Sequence, residues 1–460
     1  MRMNPVRTLD LAGLLGASGR EYVQAVRAAQ AYLAGHDQKA LLARVGSTID
    51  ELPHTPPFSK EIFQKSYGGG KTGATDDLLA GEGIFYITEQ RKLFLDCTSG
   101  HYQMLWGYHP PALCELIEQA EKLGIVWDNH SNIPQAPVKA LAWRLAELGG
   151  ETDVVLLGIC TGSVACAAAM KMQLVYFERT RPENATPVFI ALDGNYHGTD
   201  MVAQNLRGMW RKYVQNIIVE NVQPNDERQL RDVFARHGRN VAAFWAEPIM
   251  MNREAIRVDP AYLQLVQQLC HEADAAFCVD EIQTGFWQKE IFYSRKIGLS
   301  PDMLITGKGM TAGYHPLSAV VYRRKYDVLE QYDAISTNGQ AAMASLVALG
   351  NIEMISRDGA KIDAVGQRYH RLLCALAGRH GGVVEGSRGD AHMSALKFRR
   401  REDALAFHAR CIEAGLWLRA HAYHEGHSTI LTKLSLPVDD EVVDFIIAKL
   451  DALLAERRKQ

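Results

Sequence analysis

Several short stretches of this chain join residue types and positions that suit chemistry. Thr306-Gly307-Lys308-Gly309 sets a lysine among small residues. A lysine amine in such a place can condense with an aldehyde to a Schiff base. Asp280-Glu281 closes the apolar run AFCV. A buried carboxylate there can keep a pyridine nitrogen protonated, which turns the ring into an electron sink. Cys160-Thr161-Gly162-Ser163 stands between an apolar run and a helical pattern. A small-residue turn at a helix start offers backbone N–H groups and the positive end of the helix dipole to an anion such as phosphate. Alone, that turn reads equally well as an ordinary strand–turn–helix cap. Asn195-Tyr196-His197-Gly198 adds an aromatic face, and Glu247-Pro248 a further acid. The convergence of these features is more informative than any one of them.

The elements that must position them are short and apolar. VVLLGI (154–159), VFIAL (188–192), AAFWAE (242–247), AFCVDE (276–281), MLIT (303–306) and SAVVYR (318–323) lack polar alternation. That is the pattern of strands buried on both faces. Amphipathic segments such as PAYLQLVQQLCHEA separate them, so an α/β fold with a mostly parallel sheet is expected. In such sheets ligands bind beyond the carboxyl ends of the strands, where the chemical residues fall. Residues 9–45 read as two helices with a break at Gly35. ELPHTPPFSK is a connector, and GEGIFYITEQRKLFLDCTSG reads as a hairpin. From about 346 helices mix with a few strands, ending in EVVDFIIAKLDALLAERR. The expected division is a helical extension at 1–55, the N-terminal part of a small domain at 56–115, a large domain at 116–345 and the C-terminal part of the small domain at 346–460.

Composition narrows the function. Lys plus Arg number 50 and Asp plus Glu 53 in 460 residues, a net charge of −3. Nucleic acid and anionic membrane both select for a basic excess that is absent here. Hydrophobic residues make up 47% and charged residues 22%, as in an ordinary globular protein. The eight cysteines form no CxxC pair, so reduced thiols are expected, with neither a disulfide scaffold nor a metal site. The first residues are too weakly apolar for a secretory signal, and the segment 154–170 falls short of a bilayer span. A cytoplasmic location is expected.

Lysine, acid, aromatic face and phosphate turn are together what pyridoxal 5′-phosphate (PLP) needs. Over roughly residues 75–455 the sequence resembles the class III (ornithine/acetylornithine/GABA-type) aminotransferases of PLP fold type I. The family's DEVQTGFGRTG reads here Asp280-Glu281-Ile282-Gln283-Thr284-Gly285-Phe286-Trp287-Gln288. Its GKG and PLSA are Gly307-Lys308-Gly309 and Pro316-Leu317-Ser318-Ala319. Its SGTEANEAAIK becomes a stretch from Thr161-Gly162-Ser163 to Lys171, and its YHG and EP stand at Tyr196–Gly198 and Glu247-Pro248. The resemblance implies a large domain with a seven-stranded-type sheet and a smaller α+β domain drawn from both chain ends. It implies Lys308 as the Schiff-base lysine and proton shuttle, and Asp280 as partner of the pyridine nitrogen. Gln283 is expected near the ring hydroxyl, Thr161, Gly162 and Ser163 at the phosphate, and Tyr196 and Ile282 against the ring. His197 and Glu247 belong to the same cofactor set. Thr337, in ISTNG, is expected to reach the phosphate of a second subunit across a homodimer interface.

The departures bear on the reaction. Val164 and Ala167 replace the family's glutamates, Gln288 an arginine, and the glycines after Glu247-Pro248 are gone. Where the family often has an arginine for a substrate carboxylate, this chain has Lys433, a point charge without the bidentate fork. The arginine partner that Glu247 has in dual-substrate transaminases is not evident. Arg419 is another candidate anchor and reads as well as a surface residue. Tyr102 and Trp106, in the aromatic segment 100–109, are candidates for the substrate pocket or for the core, and the segment 127–132 is a further candidate border. The expected reaction runs through an external aldimine and quinonoid, with an amino group passed from an amino acid to a 2-oxo acid. The alternatives are γ-elimination or γ-replacement on an amino acid with a Cγ leaving group, racemisation, and a non-catalytic PLP-binding protein.

Overall fold

The computed structural model describes residues 9–56, 77–125, 133–337, 339–422 and 426–456. The candidate border at 127–132 and much of the proline-rich connector's surroundings lie outside these residues. Near the start, helix Gly19–Ala34 ends at Gly35. Helix Gln38–Arg44 begins behind Asp37, whose carboxylate accepts from Ala40 N at 2.8 Å. The first strands, β1 (Leu78–Glu82), β2 (Phe85–Thr88) and β3 (Leu93–Asp96), pair antiparallel. β2 and β3 are the expected hairpin.

The central sheet is built from β4 (Val154–Ile159), β5 (Val188–Leu192), β6 (Ile218–Val222), β7 (Val241–Ala246) and three later strands. A two-stranded ribbon, β8 (Ile249–Met250) with β9 (Ile256–Arg257), interrupts the series. Then come β10 (Ala276–Asp280), β11 (Met303–Thr306) and β12 (Ser318–Tyr322). The seven strands lie in the order β4-β12-β11-β10-β7-β5-β6, and β12 alone runs antiparallel to its neighbours. Strands β5, β7, β10, β11 and β12 are buried along their whole length, as their unbroken apolar runs require. β6 has no such run: Glu220 and Asn221 interrupt it, and it forms the sheet edge, where one side meets solvent.

The remaining strands are β13 (Val384–Asp390), β14 (Met393–Phe398), β15 (Leu416–Trp417), β16 (Arg419–His421) and β17 (Thr429–Lys433). β15 joins β3 in parallel, and the others form an antiparallel sheet ordered β13-β14-β17-β16. Two cores flank the central sheet, one on each face. A third gathers Ala25–Leu52 and β1–β3 with residues of 365–454, so both ends of the chain share it. Helix Ala342–Arg379 supplies residues to the third and to one of the first two. At 1.5 Å per residue it is a rod of about 57 Å. No helix among the described residues is long and apolar enough to cross a membrane.

Candidate active site

The carboxyl ends of five sheet strands meet around two adjoining cavities that share Tyr196, Gln283 and Lys308. The first, about 120 Å³, also takes in Gly162, Ser163, Asp280 and Ile282. β4 delivers the turn at Thr161 and helix Gly162–Thr180. A Cβ on Gly162 would lie 2.5 Å from Ile282 Cδ1, so only glycine lets the turn approach that wall. Gly198 is held at φ +116°, and a Cβ there would meet Ser163 Oγ at 2.4 Å. Ser163 Oγ in turn accepts from Thr199 N at 3.1 Å, which ties the two turns together.

Asp280 ends β10 and is fixed from several sides. His197 Nδ1 lies 2.8 Å from Oδ2, Ile282 N donates to Oδ1 at 2.9 Å, and Cys166 Sγ lies 3.8 Å from Oδ2. The His197 ring packs edge-on against Trp245, with centroids 5.1 Å apart. The neighbouring Glu281 turns away into the core and accepts from Thr284 Oγ1, Ser294 N and Tyr293 N. Gln288 closes the same segment by donating to the carbonyls of Thr284 and Ile291. Lys308 follows β11 at φ +33°. Burial lowers its pKa, with Asp280 and Glu247 working against the shift. Among the described residues no carboxylate forms an ion pair with its amine. Glu247, 3% exposed at the end of β7, accepts from Tyr196 N at 2.8 Å. Burial, eased by His197 and increased by Asp280, pushes its pKa up to about 7.

The second cavity, about 280 Å³, extends from Lys308 to His101, Tyr102, Arg207, Asn252 and Arg419. Its wall at 99–102 is a left-handed turn, with φ of +51°, +55°, +66° and +73° at Ser99, Gly100, His101 and Tyr102. Such backbone costs about 1–2 kcal/mol per non-glycine residue, so other contacts must hold it. Asp96 accepts from Thr98 N and Gly100 N, both at 2.7 Å, and from Tyr108 OH at 3.1 Å. Ser99 Oγ donates to the Lys433 carbonyl at 2.6 Å, and Ser435 Oγ to Ser99 Oγ at 3.0 Å. Arg419 Nη1 lies 2.8 Å from His101 Nδ1, and its guanidinium stands 5.8 Å from the Tyr102 ring centroid. Enclosure first, then Arg419, Lys308 and Lys433, lower the His101 pKa to about 4, so the neutral ring accepts from Arg419.

The other candidates separate. The Lys433 amine is buried, donates to the Gln283 carbonyl, and stands over Trp287 at 4.4 Å and Tyr102 at 5.2 Å. Burial and then the Lys308 charge push its pKa down. Trp106 sits in the core and donates to Asn351 Oδ1 at 2.8 Å, away from both cavities. Thr337 is exposed in a loop that docks on β4 through Ser336 N to the Gly158 carbonyl at 2.6 Å, and it lines neither cavity. Arg207 and Asn252 line the second cavity and escaped the sequence reading. Arg207 follows no strand end, Asn252 follows only the short ribbon strand β8, and no spacing pattern marks either.

These residues fit PLP. Gln283 Oε1 and His197 Nε2 are buried without a hydrogen-bond partner among the described residues. A buried amine, a fixed carboxylate, an aromatic ring and a helix-start turn border one cavity.

The family model for aminotransferase class III matches residues 77–454. An ornithine aminotransferase of Emericella nidulans is 28% identical over 66% of this chain and 69% of its own length. One from Bordetella pertussis is 27% identical over 88% of this chain and 97% of its own. In structure, the ornithine aminotransferase of Toxoplasma gondii superposes with a TM-score of 0.76 at 20% identity, over 87% of this chain and 94% of that one. With the fold and the family model in agreement, this chain belongs to the class III aminotransferases, PLP-dependent enzymes of fold type I.

Proposed function

We propose that Lys308 and Asp280 carry amino transfer from an amino acid to a 2-oxo acid. The observation that supports this most is the Lys308 amine, buried and without an ion pair among the described residues, in one cavity with Asp280, Tyr196 and the Gly162-Ser163 turn. When bound, PLP supplies an aldehyde for the amine and a protonated ring that stores an electron pair. Asp280, fixed by His197 and Ile282 N, would hold the proton on the ring nitrogen. Thr161, Gly162 and Ser163 would hold the phosphate, Tyr196 and Ile282 would flank the ring, and Gln283 would face its hydroxyl. Lys308, its basicity lowered by burial, would take the substrate Cα proton and return it. Thr337, exposed on its loop, would reach the phosphate site of a second copy in a homodimer. The subunit would work as a large domain at 116–345 and a small domain from both chain ends. Amino transfer is favoured over γ-elimination and γ-replacement by the relatives' shared activity.

The test is the reaction of the PLP-loaded enzyme with one amino acid and no 2-oxo acid. One equivalent of product 2-oxo acid per subunit, with more only after an acceptor is added, is the expected result. Continuous release of a side-chain fragment without an acceptor overturns the reading. Lys308→Ala should lower the rate by about 10²–10⁴-fold through loss of the general base alone.

A further inference from the structure

Away from the active site, a cavity of about 390 Å³ opens between the β8–β9 ribbon, β13 and helix Ala342–Arg379. Arg257 of β9, Arg388 of β13 and His370 of the helix line it, with Ser387, and no carboxylate does among the described residues. Arg257 is exposed, hydrogen-bonds the Tyr293 hydroxyl and forms no ion pair among the described residues. Arg388 gives Nη1 to Glu254 at 3.0 Å, and among the described residues its remaining N–H groups meet no partner. The acid beside them, Asp390, is engaged by Tyr293 OH at 2.9 Å, Lys296 Nζ at 3.0 Å and Gln367 Nε2 at 3.1 Å.

The hydrogen bonds fix the His370 tautomer. Ser394 Oγ donates its one hydrogen to the Ala391 carbonyl at 2.8 Å, so it accepts from His370 Nδ1–H, also at 2.8 Å. Nε2 of the neutral ring therefore carries a lone pair, and it meets no partner among the described residues. Burial lowers the His370 pKa, with Arg257 and Lys296 adding to the shift and Asp390 opposing it, so the ring is neutral at neutral pH.

Two guanidiniums suit any oxyanion. The imidazole lone pair narrows the choice, because it needs a hydrogen from the ligand. Ionised carboxylate and sulfate have none to give. Hydrogen phosphate has both oxygens for the arginines and a P–OH for the ring. We propose that this cavity binds a phosphate group, free or at the end of a small phosphate ester, with Arg257 and Arg388 on its oxygens and its P–OH hydrogen on His370 Nε2. The turn of the same ribbon carries Asn252 of the substrate cavity, so the two ligands would lie on one connected element.

The experiment is calorimetric titration of the PLP-loaded enzyme with inorganic phosphate, glycerol phosphate and sulfate at about pH 8. Sulfate matches the charge and shape of hydrogen phosphate but lacks its hydrogen, so it should bind at least about 10-fold more weakly, the size of one charge-assisted contact. Arg257→Gln should weaken phosphate by a similar factor, with Arg257→Lys between the two. His370→Gln should erase the preference over sulfate. Tighter binding of glycerol phosphate would identify an ester as the occupant, and tighter binding of inorganic phosphate the free ion. Equal binding of sulfate and phosphate, or an unchanged phosphate affinity in Arg257→Gln, overturns the proposal. So does a loss of phosphate binding in Arg419→Gln with none in Arg257→Gln, which would place the anion in the substrate cavity.

Discussion

Glu247 and Glu254 stand on either side of β8, both nearly sealed from solvent, and their carboxylates behave in opposite ways. Glu247 is 3% exposed and Glu254 5%. Among the described residues Tyr196 N is the one donor to Glu247, and burial raises its pKa to about 7. At Glu254 burial also works against the charge. There Lys397 Nζ at 2.7 Å, Thr429 Oγ1 at 2.6 Å and Ser428 N at 2.7 Å reverse it, with Arg388 at 3.0 Å, and the pKa falls to about 2. Depth of burial therefore does not set the charge of an acid; the number and kind of its donors does. Glu254 bolts the loop after β7 to β13, β14 and the start of β17. Glu247 is left protonatable beside Lys308.

The largest effect should come from deleting the bolt. Glu254→Ala strands the Lys397 and Arg388 charges, and about 3–5 kcal/mol of stability should be lost in denaturant titration. A loss under 1 kcal/mol would mean that these cations find water instead. A milder change tests the charge itself. The depressed pKa of Glu254 contributes stability that is present above the unfolded value near 4.5 and disappears as pH falls toward 2. Glu254→Gln should therefore cost about 3 kcal/mol at pH 6 and little at pH 2. A cost that is the same at both pH values would contradict the assigned charge. The smallest effect has the opposite sign. A raised carboxylate pKa binds protons in the fold, so Glu247 favours the folded state less and less as pH rises from about 4.5 through 7. In the cofactor-free protein, Glu247→Gln should gain about 2 kcal/mol relative to wild type between pH 5 and pH 8. A flat difference across that range would show Glu247 to be an ordinary acid.

The sheet was legible in the sequence because most of its strands are apolar on both faces. β6 was not, since its Glu220 and Asn221 suit an edge and break the run. The lysine, the aspartate and the turns stood out because they close such runs. The substrate side was harder to read. Ser99, His101 and Tyr102 are not residue types that announce positive φ, and their conformation follows from Asp96 and from residues more than 300 positions away. Trp106 and Tyr102 belong to one aromatic segment, yet one hydrogen-bonds in the core while the other lines the cavity. Arg207 had no sequence mark, because an arginine's pairing depends on what the fold brings near it.

The left-handed turn also fixes an order of events during synthesis. Its two clamps are Asp96, made early, and the Lys433–Ser435 stretch at the end of β17, made late. Until that stretch leaves the ribosome, the wall that carries His101 and Tyr102 has only half of its restraints and is free to relax. The sheet ends that hold Lys308 and Asp280 precede it in the chain. At about 5–20 residues per second, more than a hundred residues separate the two, and a nascent chain would spend several seconds with its lysine in place and its substrate cavity unfinished.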